Sequence, residues 1–105
     1  MRDNQAIYAA EVLSAIAHPN RIRILECLKE SAHCNYELAP ALQLEQSNLS
    51  RHMKILVQAG ILISWKKGLR VNFRVADRRV YRILDLAKAL TTRETRIRAE
   101  ALMKS

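Results

Sequence analysis

The chain has 105 residues, half of them apolar and 27% charged, with two glycines and two prolines; that suits one folded domain with a small core and excludes two domains or a disordered tail. Eighteen Lys and Arg against ten Asp and Glu leave a formal charge of +8, with 4 basic and 6 acidic side chains in residues 1–50 but 14 and 4 in residues 51–105, so one side of the fold should attract polyanions, nucleic acid foremost, unless the excess is only a solvated basic tail. No apolar run approaches the roughly 18 residues of a membrane span, and an amino-terminal stretch holding Asp3 and Glu11 is no signal peptide, which points to a cytoplasmic protein.

Residues 5–17 repeat Ile7, Ala10, Leu13 and Ile16 every third position, with Ala6, Ala9, Val12 and Ala17 beside them, so the spacing predicts a helix with a broad apolar surface. His18-Pro19 ends it, because the residue before proline leaves the helical region. A second helix from Pro19 or Asn20 to about Glu30 turns Ile22, Ile24, Leu25 and Leu28 inward. Asn35 to Leu42 reads as a short or irregular helix, since Pro40 removes a backbone donor. Gln43 to Ser47 then opens a longer helix to Ala59, with Leu49, Met53 and Leu56 inward and Gly60 as its stop. Two helices joined by a turn, the second starting with small polar residues, make a helix-turn-helix.

Beyond Gly60 the period falls to two. Ile61, Ile63 and Trp65 share a face, and after Lys66-Lys67-Gly68 the residues Leu69, Val71, Phe73 and Val75 alternate with Arg70, Asn72 and Arg74, which predicts an antiparallel hairpin with one apolar face. Asp77 caps a further helix with one stripe of Val80, Leu84 and Ala87 and another of Ile83, Leu86 and Leu90. A helix apolar on two sides needs two partners, the second of them another subunit. Thr91 to Ser105 has helical composition. The order predicts a mainly α fold with a β-hairpin wing, a single winged helix-turn-helix domain over residues 1–105.

The segments Leu13-Ser14-Ala15-Ile16-Ala17-His18-Pro19-Asn20-Arg21-Ile22-Arg23-Ile24-Leu25, Glu37-Leu38-Ala39, Ser50-Arg51-His52-Met53-Lys54-Ile55-Leu56, Ala59-Gly60-Ile61-Leu62 and Val71-Asn72-Phe73-Arg74-Val75 stand in an order and spacing that resembles the ArsR family (ArsR/SmtB) of bacterial and archaeal repressors. The resemblance covers about residues 7–90. It implies a homodimer joined through the first and last helices, binding to a double-stranded operator, and an inducer that weakens that binding.

A recognition helix enters the major groove by its N-terminus, so early polar residues reach base edges and later basic ones meet phosphate. The candidates are Gln46, Ser47, Asn48, Ser50, Arg51, His52 and Lys54, with Gln46 and Asn48 suited to adenine, Arg51 to guanine or phosphate, and the serines to phosphate. Lys66, Lys67 and Arg70 at the hairpin tip would reach phosphates or the neighbouring minor groove. The bland alternative is an ordinary solvated helix face and a charged turn. His18 and His52 stand where the family pattern carries histidine without metal, which implies a structural or DNA-proximal role.

Many members of that family carry Cys-x-Cys at the start of the third helix; this chain matches at Cys34 but has Tyr36 at the second position. The family's other metal site is also incomplete, since Asp85 is followed by no histidine. Cys27 and Cys34, too few for a disulfide scaffold, are expected as reduced thiols. They form a candidate effector site with His33 beside them, suited to a disulfide or a two-coordinate soft metal or metalloid rather than to zinc; the alternative is a small core residue and an incidental thiol. No phosphate loop or zinc-protease motif is present, which speaks against an enzyme. The competing function class is a winged helix used for protein or RNA contact without an inducer.

Overall fold

The computed structural model describes residues 3–104. α1 (Asp3–Ile16) stops before the His18-Pro19 pair, His18 turns extended, and α2 (Pro19–Cys27) starts on proline with His18 Nδ1 accepting the Asn20 amide at 3.0 Å. α2 ends before the expected Glu30 because distant side chains take up carbonyls at its end. The Tyr81 hydroxyl donates to the Leu25 carbonyl at 2.6 Å, and Arg78 Nη1 donates to the Lys29 carbonyl at 2.8 Å. Burial, the largest cause, pushes the Tyr81 phenol up to about 12.

β1 (His33–Cys34), a two-residue strand the hairpin pattern did not include, leads into α3 (Asn35–Leu42). The Glu37 carboxylate accepts the Cys34 amide at 3.0 Å, the reach-back half of a capping box with Cys34 at the cap. α3 is short, as Pro40 suggested, but it is a regular helix through that residue. Gln43 then takes a left-handed backbone, φ 55°, and the Gln43 and Leu44 amides return to the Pro40 and Ala39 carbonyls. Of the segment expected to open the long helix, Gln43 to Glu45 are therefore the turn itself, and Gln46 and Ser47 begin α4 (Gln46–Gln58).

The hairpin pairs β2 (Leu62–Lys67) with β3 (Arg70–Val75) in a sheet of order β1-β3-β2. Lys67 lies opposite Arg70, so Gly68 and Leu69 form a two-residue turn that Gly68 can enter at φ 65°. Leu69, expected on the apolar face, is 93% exposed at the tip. The face of β2 is also one residue out of phase with the alternation read from sequence. Leu62, Ser64 and Lys66 pair across from Val75, Phe73 and Val71 and share their face, which leaves Ile63 and Trp65 on the other, exposed side. Ile61 is buried from the turn after Gly60, its amide bonded to the Leu56 carbonyl at 3.0 Å.

α5 (Val80–Ala89) begins three residues past Asp77, whose carboxylate accepts the Arg79 amide at 2.9 Å and the Arg79 guanidinium. Asp77 thus organises the turn before the helix instead of capping it directly, and the Arg79 side chain, then its amide, hold the Asp77 carboxyl down to about 2. α6 (Arg93–Lys104) follows, with Thr92 Oγ1 accepting the Thr95 amide at 3.1 Å; Ser105 lies outside the described residues. The core gathers Ile24, Leu25, Leu38, Leu49 and Leu56 under Phe73, Val75, Val80 and Leu84, each such side chain contributing about 1.5–3 kcal/mol through burial. α6 buries nothing in this core.

Candidate nucleic-acid interface

α4 carries the candidate interface because its pattern separates two faces. Leu49, His52, Met53 and Leu56 turn inward, and Gln46, Ser47, Ser50, Arg51 and Lys54 fall together on the exposed side, with Asn48 half-buried between them. The Glu45 side chain makes no capping bond, and the first helical bond is that of the Leu49 amide to the Glu45 carbonyl at 2.9 Å. The amides of the first turn therefore point outward, where a helix N-terminus favours an anion. Arg51 Nη2 donates to Asn48 Oδ1 at 3.2 Å, which sets two of the three candidate base readers side by side.

One contact ties this helix to α3, and two more brace α3 against the wing and against α2. Gln46 Nε2 donates to the Asn35 carbonyl at 3.4 Å, and Asn35 Oδ1 accepts the Val71 amide of the wing at 3.3 Å. Arg23 Nη2 donates to the Leu42 carbonyl at 2.8 Å, closing the end of α3, the first helix of the helix-turn-helix. Lys66, Lys67 and Arg70 are exposed around the wing turn. Among the described residues the ion pairs are Glu26–Lys88, Asp77–Arg79 and His33–Glu37, so none of Arg51, Lys54, Lys66, Lys67 and Arg70 has a carboxylate to neutralise it. Uncompensated cations on one helix face and one turn make a surface for a polyanion.

His52, read from sequence as a DNA-contacting residue, lies under that face with 6% exposure. Its position three residues past Leu49 and four before Leu56 puts it on the buried stripe. Its Nδ1 lies 3.2 Å from Arg21 Nη1, and its ring is 4.5 Å from that of His18. Burial, then the charges of His18, Arg21 and Arg51, hold its pKa below the ordinary histidine value. Arg21, Arg23 and Tyr81 are the positioning residues that sequence reading passed over; the signal available was the alternation Arg21-Ile22-Arg23 on an otherwise apolar helix.

The thiols sit either side of the β1 approach. Cys27 is half-buried at the end of α2 and Cys34 is 1% exposed at the start of α3. His33 turns to its neighbours instead, with Nε2 3.3 Å from Ser31 Oγ and Nδ1 3.8 Å from Glu37 Oε2. The Cys34 backbone amide, with the Cys34 side chain second, lowers the pKa of Glu37. Among the described residues no three of His, Cys, Asp and Glu stand close enough to hold a metal ion. Cys27 and Cys34 could offer at most two thiolates, the set of a two-coordinate soft ion and not the four ligands of zinc. No helix of the described residues is long and apolar enough to cross a membrane.

A sequence model described as the arsR family of bacterial regulatory proteins matches residues 18–64, from His18 through α4 into β2. The chain is 41% identical over 76 residues to the HTH-type transcriptional repressor SmtB of Mycobacterium tuberculosis, covering 72% of this chain but 56% of that repressor's length. It is 34% identical over 83 residues to the HTH-type transcriptional regulator MJ1325 of Methanocaldococcus jannaschii, covering 78% of this chain and 93% of that one. Its fold superposes on HlyU from Vibrio cholerae with a TM-score of 0.74 at 30% identity, over 86% of this chain and 97% of HlyU. The helix-turn-helix, the wing and the matched residues agree: the chain belongs to the arsR family of bacterial regulatory proteins.

Proposed function

We propose that this chain is a cytoplasmic transcriptional repressor that binds an inverted repeat of double-stranded DNA as a homodimer. The observation that carries the reading is the exposed face of α4, with its outward N-terminal amides, Asn48–Arg51 pair and unpaired cations, beside a wing tipped by Lys66, Lys67 and Arg70. A dimer is supported by apolar surface that the protomer leaves open: Ile7, Tyr8 and Leu13 on α1, Leu86 on α5 with Leu90 at its end, and Ile97 on α6 are exposed. The Cα radius of gyration is 15.3 Å, against about 13 Å for a compact domain of 100 residues. A two-fold axis then presents two α4 helices to two half-sites, which is why the operator is an inverted repeat.

An effector site at Cys27 and Cys34 is favoured by position, since the segment between the thiols leads directly into the helix-turn-helix. A disulfide or a soft metal or metalloid ion across them would have to open the Cys34 cap and so shift α3 against α4. The test of the whole reading is sedimentation combined with competition binding to DNA from upstream of the chain's own gene. A dimer whose specific complex survives excess unrelated DNA supports it. A monomer of 12.1 kDa that binds no duplex specifically would return the fold to a protein- or RNA-docking role.

A further inference from the structure

Arg21, on α2, spans three elements. Its Nε donates to the Ala15 carbonyl at 2.5 Å and its Nη2 to the Ser14 carbonyl at 3.5 Å, both in the last turn of α1, while its Nη1 meets His52 Nδ1 on α4 at 3.2 Å. One guanidinium thus caps the carboxyl end of α1 and holds the underside of the reading helix. A guanidinium only donates, so His52 Nδ1 must present its lone pair, and the neutral ring carries its proton on Nε2. A second proton on Nδ1 would set N–H against N–H. The groups around His52 are His18 at the α2 cap, Arg21 on α2, and Asn48, Arg51 and Ile55 on its own helix, with Glu11 of α1 lining the adjoining groove beside Arg21. His18 Nδ1 is likewise engaged as an acceptor, by the Asn20 amide.

We propose that Arg21 couples α1 to the reading helix through His52, that the coupling holds only while His52 is uncharged, and that acidification therefore loosens the protein from DNA. The proposal rests on the DNA-binding reading and on a dimer built on α1. With the link made, α1 sets where each α4 stands, and hence the spacing of the two reading helices against successive major grooves, about 34 Å apart. With the link broken, each α4 can move against its α1 and the pair lose that register. Because the DNA-bound form requires neutral His52, binding lowers its pKa further; affinity is complete above the free-state value and is lost as pH falls through it.

The experiment has two arms. In the free protein, imidazole nitrogen NMR should show an unprotonated Nδ1 on His52 with the proton on Nε2, giving way to the charged ring below the ordinary histidine range; a proton on Nδ1 of the neutral ring would overturn the link outright. In the second arm, DNA affinity is followed from about pH 7.5 to about pH 5.5 for the parent, His52→Asn and His18→Asn, the asparagine Oδ1 serving in each as an acceptor that does not titrate. The parent should weaken, by up to about tenfold per pH unit below the His52 midpoint for each protomer and so up to about a hundredfold for the dimer, although protonating histidines elsewhere on a basic protein strengthens DNA binding. Relative to its own affinity near neutrality, His52→Asn should lose the fall, and His18→Asn should retain it. A parent that is flat or tightens with acid, or a fall unchanged in His52→Asn, overturns the proposal. If the parent binds no operator at neutral pH, the DNA reading and the release proposal fail together, and the NMR arm alone decides whether the link exists.

Discussion

Replacing Lys67 and Arg70 together by alanine removes two positive charges from each wing and four from a dimer. Both side chains are exposed and flank the Gly68-Leu69 turn across from one another, and neither takes part in an ion pair among the described residues, so their loss should leave the fold intact. Each phosphate neutralised contributes about −0.9 to the slope of log affinity against log salt, so four lost contacts should flatten the slope by about 3.6. A parent that neutralises about 6–10 phosphates loses on the order of 10³–10⁵ in affinity between 50 and 200 mM salt; the variant's loss over the same range should be smaller by about 100-fold. Fluorescence anisotropy on labelled operator at four or five salt concentrations reads this directly, with thermal unfolding as the control for folding. An unchanged slope in a folded variant would mean that Lys67 and Arg70 touch no phosphate and that other cations, Arg51, Lys54 and Lys66 among them, carry the electrostatics.

Tyr81→Phe removes the bond to the Leu25 carbonyl while keeping the ring, and should cost about 0.5–1.5 kcal/mol in urea unfolding. In the parent the same residue gives a pH signature: its phenol is pushed up to about 12, so its contribution is fully present below the unfolded value near 10 and is lost as pH rises through 12. The Phe variant should lack that alkaline decline; a matching decline would place it elsewhere. For the thiols, Cys27→Ser and Cys34→Ser proteins should bind operator normally but ignore oxidant, mercury(II) and trivalent arsenicals, and Cys34, at 1% exposure, should react with a thiol reagent more slowly than Cys27. A double variant that responds as the parent does would make both cysteines structural.

What could be read from sequence was whatever local periodicity decides. The stripe Leu49, Met53 and Leu56 placed α4, the His18-Pro19 pair placed the break between α1 and α2, and the unburied stripe of α5 already asked for a partner. The misses have different physical origins. In Ile61-Leu62-Ile63 three apolar residues run together, so alternation fits either phase, and only the pairing of Leu62 with Val75 selects the buried one. Leu69 continued an alternating run, yet Gly68 at positive φ closes the turn there. The early end of α2 depends on Tyr81 and Arg78, and β1 exists only because β3 is beside it; neither is a local property. His52 was legible in principle, since the helical repeat places it with Leu49 and Leu56; the family pattern left a structural or a DNA-proximal role open, and its burial favours the structural one.

Whether α4 reads bases is decided by comparing specific with non-specific DNA affinity for the parent, Asn48→Ala and Arg51→Ala at one fixed salt concentration. If this pair contacts base edges, each substitution should weaken the operator complex by about 1–3 kcal/mol, roughly 5- to 150-fold, while unrelated duplex is bound nearly as before. Because Arg51 donates to Asn48 at 3.2 Å, the double variant should lose less than the sum of the singles. Equal weakening on operator and unrelated DNA would contradict the account and leave α4 as a phosphate-binding helix without a reading function.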